Sequence, residues 1–222
     1  PYKEVECNEH PLWKPVIDEV LRWRKCDQCA HVFTEGYFTD EAAAAIFADG
    51  HEHQEVGYMC EDARPVCGRM VASVPVTRGK WLDVGFGAGG LMFAAHEAGF
   101  HVSGIDLREQ NVSAMQQLGF EAVQCTLEQV DGSFDVVSLC DVLEHMPDPE
   151  KALRHARRIG RHLLVSCPHA GSIAWHALTA TDENPYWGEI EHFHNFTRAR
   201  LYALLESCGW EPLSFRVSER YR

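Results

Sequence analysis

Cations are scarce in this chain of 222 residues: 20 Lys and Arg stand against 33 Asp and Glu, a formal net charge of −13. Binding driven by phosphate neutralisation needs clustered cations, so nucleic acid is not expected as a partner. No window approaches the roughly 20 apolar residues that a membrane-spanning helix needs, and the polar N-terminus does not resemble a secretory leader. These absences predict a soluble, cytoplasmic protein with no membrane partner. Internal repeats are missing too, and the only biased tract is the short run Ala42–Ala45. With 45% hydrophobic residues, the chain has material for one α/β domain of ordinary size plus a small appendage.

Nine cysteines are an odd number in a sequence without a leader, which argues for reduced thiols or metal ligation over a disulfide framework. Cys7-Asn-Glu-His10 and Cys26-Asp-Gln-Cys29 form two pairs with two residues between ligands, separated by the 15 residues from 11 to 25. That spacing suits a zinc ribbon, and Cys7, His10, Cys26 and Cys29 are the candidate ligands of one structural zinc. The expected organisation is a zinc-binding knuckle over 1–35, a helical lead-in over 36–79 and a main domain over 80–222. Asp40–Ala48 and Ala63–Val74 read as helices of the lead-in. Cys60 and Cys67, with six residues between them, fall into no such ligand pair, and His51 and His53 read as solvated.

Trp81-Leu-Asp-Val-Gly-Phe-Gly-Ala-Gly-Gly-Leu91 is an apolar run that ends in Asp83 and opens into Gly85, Gly87 and Gly89. It reads as a strand feeding a ligand-binding turn, where glycine lets the main chain approach a ligand without an obstructing Cβ. The helix after it, from Gly90, begins with free N–H groups. Phe100–Asp106 then reads as a second strand ending in an acid, and 106 − 83 = 23 residues separate the two aspartates, the spacing at which a carboxylate grips ribose hydroxyls. The glycines do not fit a pyrophosphate frame, and an acid ahead of them suits a cationic ligand without phosphate. Strands at 121–124, 134–140 and 161–166 alternate with helices at 108–118 and 149–158, a pattern that predicts a doubly wound, mostly parallel sheet. A last helix follows Thr197 and stops at Gly209, and Glu211–Ser218 reads as a further strand.

Together with Cys140-Asp-Val-Leu-Glu-His-Met-Pro-Asp-Pro149, these blocks resemble class I S-adenosylmethionine-dependent methyltransferases. The last phrase is especially similar to ubiquinone-biosynthesis-type O-methyltransferases. The resemblance implies a Rossmann-like α/β fold and S-adenosylmethionine as cofactor, held by Asp83, Gly85, Gly87, Gly89, Asp106, Leu107, Leu127, Glu128 and Cys140. It also implies a small-molecule acceptor, with methyl transfer to a hydroxyl oxygen ahead of carbon methylation of a sugar, methylation of ribosomal RNA, or a non-catalytic binding role. The family fold closes with a reversed edge strand, for which only Glu219–Arg222 remain. An Asn/Asp-Pro-Pro-Tyr/Phe motif of nitrogen methylation is missing after the fourth strand, where Asp141-Val-Leu-Glu stands; Asn184-Pro-Tyr186 lies too late to replace it.

A hydroxyl nucleophile needs a proton acceptor, and ligands gather at the carboxyl ends of the strands. His145, His169, His192 and His194 fall there, and His145, His192 and His194 are the candidate bases, in that order. Glu191-His-Phe-His-Asn-Phe-Thr197 alternates so that both histidines should share one face. This run resembles the Glu-His-x-His-x-Phe-Thr stretch that borders the acceptor pocket in relatives. The segment 170–190, with Trp175, His176, Tyr186 and Trp187, is long enough to be a lid over a planar or sugar-like acceptor.

Overall fold

The computed structural model describes residues 2–36, 38, 39, 41–43, 46 and 55–217. Its centre is a five-stranded parallel sheet in the order β6-β5-β4-β7-β8, made of β4 (Lys80–Val84), β5 (His101–Asp106), β6 (Glu121–Gln124), β7 (Phe134–Cys140) and β8 (Gly160–Ser166). Helices α1 (Cys60–Val71), α2 (Gly90–Glu97), α3 (Glu109–Gln117) and α4 (Pro149–Ile159) cover it, so central strands are apolar on both faces. Alternate residues serve two separate cores. Leu82, Val84, Val137 and Leu139 pack with Leu153 and Leu204 on one side, whereas Trp81 and Val136 pack with Met92, Phe100 and Met115 on the other.

Local chemistry starts the elements where the sequence says. The Asp148 carboxylate accepts from Lys151 N at 2.9 Å and Pro149 takes the first turn of α4, whose Ala152, Leu153, Ala156 and Ile159 then face the core. Thr197 Oγ1 likewise accepts from Arg200 N at 3.2 Å to open α6 (Arg198–Ser207). The lead-in helix runs from Cys60 to Val71, three residues earlier than its periodicity suggested. Of the expected helix Asp40–Ala48, Glu41, Ala42, Ala43 and Ile46 are helical, and its other residues, with His51 and His53, lie outside the described residues.

Two expectations are overturned. Residues 211–217 form no strand, since they pair with no ladder, and Ser218–Arg222 lie outside the described residues. The second concerns the N-terminus, where β1 (Lys3–Glu6), β2 (Val20–Lys25) and β3 (Val32–Thr34) form an antiparallel sheet. Cys7 ends β1 beside the start of β2, its N–H donating to Glu19 O at 2.8 Å and its Sγ donating to the Asp18 and Glu19 carbonyls. Cys26 and Cys29 follow the far end of β2. Seven residues of extended chain, roughly 23 Å, therefore separate Cys7 from Cys26. His10 is turned inward, its Nδ1 accepting from Leu12 N at 3.1 Å. The antiparallel ladder puts the two pairs at opposite ends, so Cys7, His10, Cys26 and Cys29 do not form one metal site.

The same sheet is completed by β9 (His194–Asn195), which pairs with β3 through Val32–Asn195 and Phe33–His194. Residues 1–35 are thus fastened to the main domain. Trp23 on β2 is fully buried, donates from Nε1 to Trp187 O at 2.9 Å, and meets the Trp187 ring edge-on at 5.6 Å. Trp23→Ala should lower the unfolding free energy by about 3–5 kcal/mol, read by chemical denaturation. Amide exchange over 173–187 should rise in the same variant.

Candidate active site

Asp83 sits mid-sheet, 3% exposed, between apolar neighbours on β4. The register places Ser138 of β7 directly beside it, and Ser138 Oγ donates to Asp83 Oδ1 at 2.5 Å while accepting from Trp81 Nε1 at 2.8 Å. Burial pushes the Asp83 carboxyl up to about 7; the Ser138 hydrogen bond opposes the rise and the Asp106 charge adds to it.

Beyond Val84 the chain turns through Gly85, Gly87 and Gly89, with φ of 63°, 51° and 81°. A Cβ on Gly85 would stand 2.8 Å from Val142 Cγ2, and Gly87 faces open space. The turn is pinned from the next strand. Asp106, at the end of β5, accepts from Gly87 N at 3.0 Å through Oδ2 and from Arg108 N at 2.9 Å through Oδ1. Asn111 Nδ2 donates to Gly87 O at 3.1 Å. An ionised carboxylate has about four lone-pair directions, so Asp106 keeps two for a ligand's hydroxyls. Leu107 is half-exposed beside it, Leu127 is buried, Glu128 is exposed, and Cys140 ends β7 with its thiol pushed well up by burial. By position in the strands, Asp83 and the glycines close β4, Asp106 and Leu107 close β5, Leu127 and Glu128 follow β6, and Cys140 ends β7, so all nine expected cofactor residues fall at the carboxyl edge of the sheet.

A methyltransferase domain family matches residues 58–214, a span that holds every element of this edge. The chain belongs to that family, within class I. Among relatives of this methyltransferase domain, the ubiquinone biosynthesis O-methyltransferase of Idiomarina loihiensis is 34% identical over 152 residues, covering 61% of this chain and 63% of its own length. The enzyme of the same name from Ralstonia nicotianae is 31% identical over 165 residues, covering 67% and 69%. The chain thus spans somewhat under two thirds of the first of these relatives. Two solved structures share the fold. A methyltransferase of Thermotoga maritima, described as a possible histamine N-methyltransferase, gives a TM-score of 0.55 at 17% identity over 70% of this chain and 75% of that one. Magnesium protoporphyrin IX methyltransferase of Synechocystis, with bound SAH, gives 0.54 at 18% identity over 79% of each.

Opposite the glycines, β7 leaves the sheet through Asp141, held at φ 54° by its N–H on Ser166 O at 2.9 Å and by Ser166 Oγ donating to Oδ1 at 3.1 Å. A short 3-10 turn, Leu143–His145, follows. His145 Nδ1 lies 3.0 Å from Glu191 O, and a carbonyl can only accept, so the ring proton is on Nδ1 and Nε2 carries the lone pair. Burial holds the ring's pKa below its ordinary value. His192 meets it edge-on at 4.6 Å and stacks on Tyr186, which stacks on Trp175 in α5 (Ile173–Ala180). The expected lid over 170–190 is therefore an ordered aromatic wall, with His176 exposed on its outer side.

His194 is not part of this group. Its Nδ1 lies 3.1 Å from His31 Nε2 and its Nε2 3.4 Å from Pro147 O, which places it in the seam between the two sheets. His169 accepts from Gly171 N within its own turn. Two acids were not picked out from the sequence. Glu144 is 1% exposed with no hydrogen bond to either carboxylate oxygen, and burial pushes it well above the carboxylate range. Burial pushes Glu191 up to about 7, against the field of Arg108. Their position beside the histidines was a usable signal. Glu144, His145 and His192 offer ligand atoms within 4.8 Å of one another, the only such trio among the described residues. An ion with bonds of about 2.0–2.1 Å needs ligands within about 4.2 Å, so the side chains would have to draw together to hold one.

An acid whose folded pKa is raised gives stability at low pH that is lost as pH climbs through the folded value. Asp83→Asn removes that loss, so its urea midpoint should gain on the wild type between pH 4 and pH 7. Parallel curves would place the titration elsewhere.

Proposed function

We propose that this domain transfers the methyl group of S-adenosylmethionine to a hydroxyl oxygen of a small aromatic molecule. The observation that carries the reading is His145, at the end of the turn after β7, whose Nδ1 is committed to Glu191 O and whose lowered pKa leaves Nε2 as the basic nitrogen. The names of the Idiomarina and Ralstonia relatives support oxygen as the acceptor atom. The ordered wall of Trp175, Tyr186 and His192 supports a planar acceptor. The net charge of −13 argues against nucleic acid. Among the described residues no helix is long and apolar enough to cross a membrane.

The residues fit the cofactor. Asp106 retains lone pairs for a ribose diol, Gly87 leaves the floor of the turn open, and Asp83 offers a carboxylate to a cationic end. Bound there, S-adenosylmethionine supplies an electrophilic methyl group on a sulfonium. The protein's share is alignment and proton removal. His145 Nε2 takes the hydroxyl proton, and the hydrogen bond from Nδ1 to Glu191 O fixes the ring and spreads the positive charge that results. His192, against the His145 ring, bounds the acceptor side.

Calorimetry should find S-adenosylhomocysteine binding that Asp106→Ala weakens by about 10–100-fold, the scale of a lost hydrogen bond to a charged group. His145→Gln should lower kcat by about 10²–10⁴ while S-adenosylhomocysteine still binds. Because the base must be unprotonated and its pKa is depressed, kcat/KM should stay level from neutral pH to below about 6.5 and fall only in more acid solution. Wild-type turnover in His145→Gln would remove His145 as the base.

A further inference from the structure

Arg108 follows the end of β5 by two residues, near enough to His145 and Glu191 for its charge to act on both. Its side chain is 12% exposed, and among the described residues its guanidinium makes no hydrogen bond. Nη1 stands 3.9 Å from Asp106 Oδ1, which is ion-pair range but too long for a hydrogen bond. Nε is buried without a partner. Asp106 is fixed by the N–H groups of Gly87 and of Arg108 itself and stands off the guanidinium at this distance. A guanidinium has five donors in a planar fork; here Nε is buried unpaired, and the two Nη groups make no hydrogen bond to the described residues and are open to a ligand's acceptors.

The fork matches a carboxylate, which can accept two parallel bonds. Two molecules could bring one: the methionyl end of the cofactor or the acceptor. Arg108 follows the ribose-binding position by two residues, and its field is felt at His145 and Glu191, on the acceptor side. The glycine turn and Asp83, where the cofactor's cationic end fits, lie back along β4. Burial keeps Glu144 protonated near neutrality and Glu191 about half so, which lowers the repulsion that these two acids would offer an incoming anion. Resting on the O-methylation reading, we propose that Arg108 binds a carboxylate of the acceptor, which makes the substrate class hydroxylated aromatic acids.

The test compares 3,4-dihydroxybenzoate with catechol, which differ only in the carboxylate, by release of S-adenosylhomocysteine. The wild type should favour the acid at least about tenfold in kcat/KM, and Arg108→Gln should erase most of that preference by raising KM for the acid. Arg108→Lys, a point charge without the fork, should restore part of it, and a merely structural role would not produce that pattern. Equal use of both probes by the wild type, or failure of the protein loaded with S-adenosylhomocysteine to bind either, would overturn the assignment. So would a larger loss of S-adenosylhomocysteine affinity than of acid affinity in Arg108→Gln, which would give the carboxylate to the cofactor. If the wild type binds no S-adenosylhomocysteine, the O-methylation reading falls as well; if it does and treats the probes alike, only the role of Arg108 falls.

Discussion

The peptide of Phe193 is clamped from two sides: its N–H donates to Glu144 O at 2.8 Å and its C=O accepts from Thr34 N at 2.9 Å. One residue therefore ties the N-terminal sheet to the turn that carries His145. Because both bonds are main-chain bonds in a buried place, neither can lapse without leaving an unpaired polar group, which costs more than the bond itself contributes. The ladder of β9 on β3 is only two residue pairs long, and the clamp supplies the fixity that so short a strand lacks. The spacing of His192 from His145 follows from it.

The electrostatics of the cavity follow from burial more than from charge count. A chain with an excess of 13 acids gathers Asp83, Glu144 and Glu191 around its candidate site, yet desolvation raises all three toward the protonated form. The cation Arg108 and the neutral ring of His145 therefore act against a background less acidic than the sequence suggests. Ser138 shows the same economy, accepting from Trp81 and donating to Asp83 so that no polar atom in the middle of the sheet goes unmatched.

The parallel sheet was legible because its signals are local. Phe134–Cys140 is an apolar run bounded by turn residues, and the structure gives it the same limits; Asp106 ends β5 as expected, and Asp83 lies one residue before the end of β4. What failed depended on partners far along the chain. Cys7 and Cys26 have ribbon spacing, but whether two pairs meet is decided by which way the intervening strand runs, and the β1–β2 register sends them apart. The strand expected over Glu211–Ser218 finds no neighbouring strand over its described residues 211–217. His192 and His194 would share a face in a regular strand, yet β9 begins only at His194; His192 sits in a turn with its N–H on Glu189 O, and the two rings diverge. Nothing local in the sequence marks Glu144 or Arg108 as buried; the fold encloses them.

Trp187 is edge-on to both Trp23 and Trp175, with ring centres 5.6 Å and 5.2 Å apart. Indoles this close couple their electronic transitions, so the docked arrangement should add an exciton contribution to the circular dichroism. One of the three belongs to the N-terminal sheet, one to α5 and one to the turn after it. Light alone, with no label attached, therefore reports whether those three pieces are docked as solvent, ligand or temperature changes.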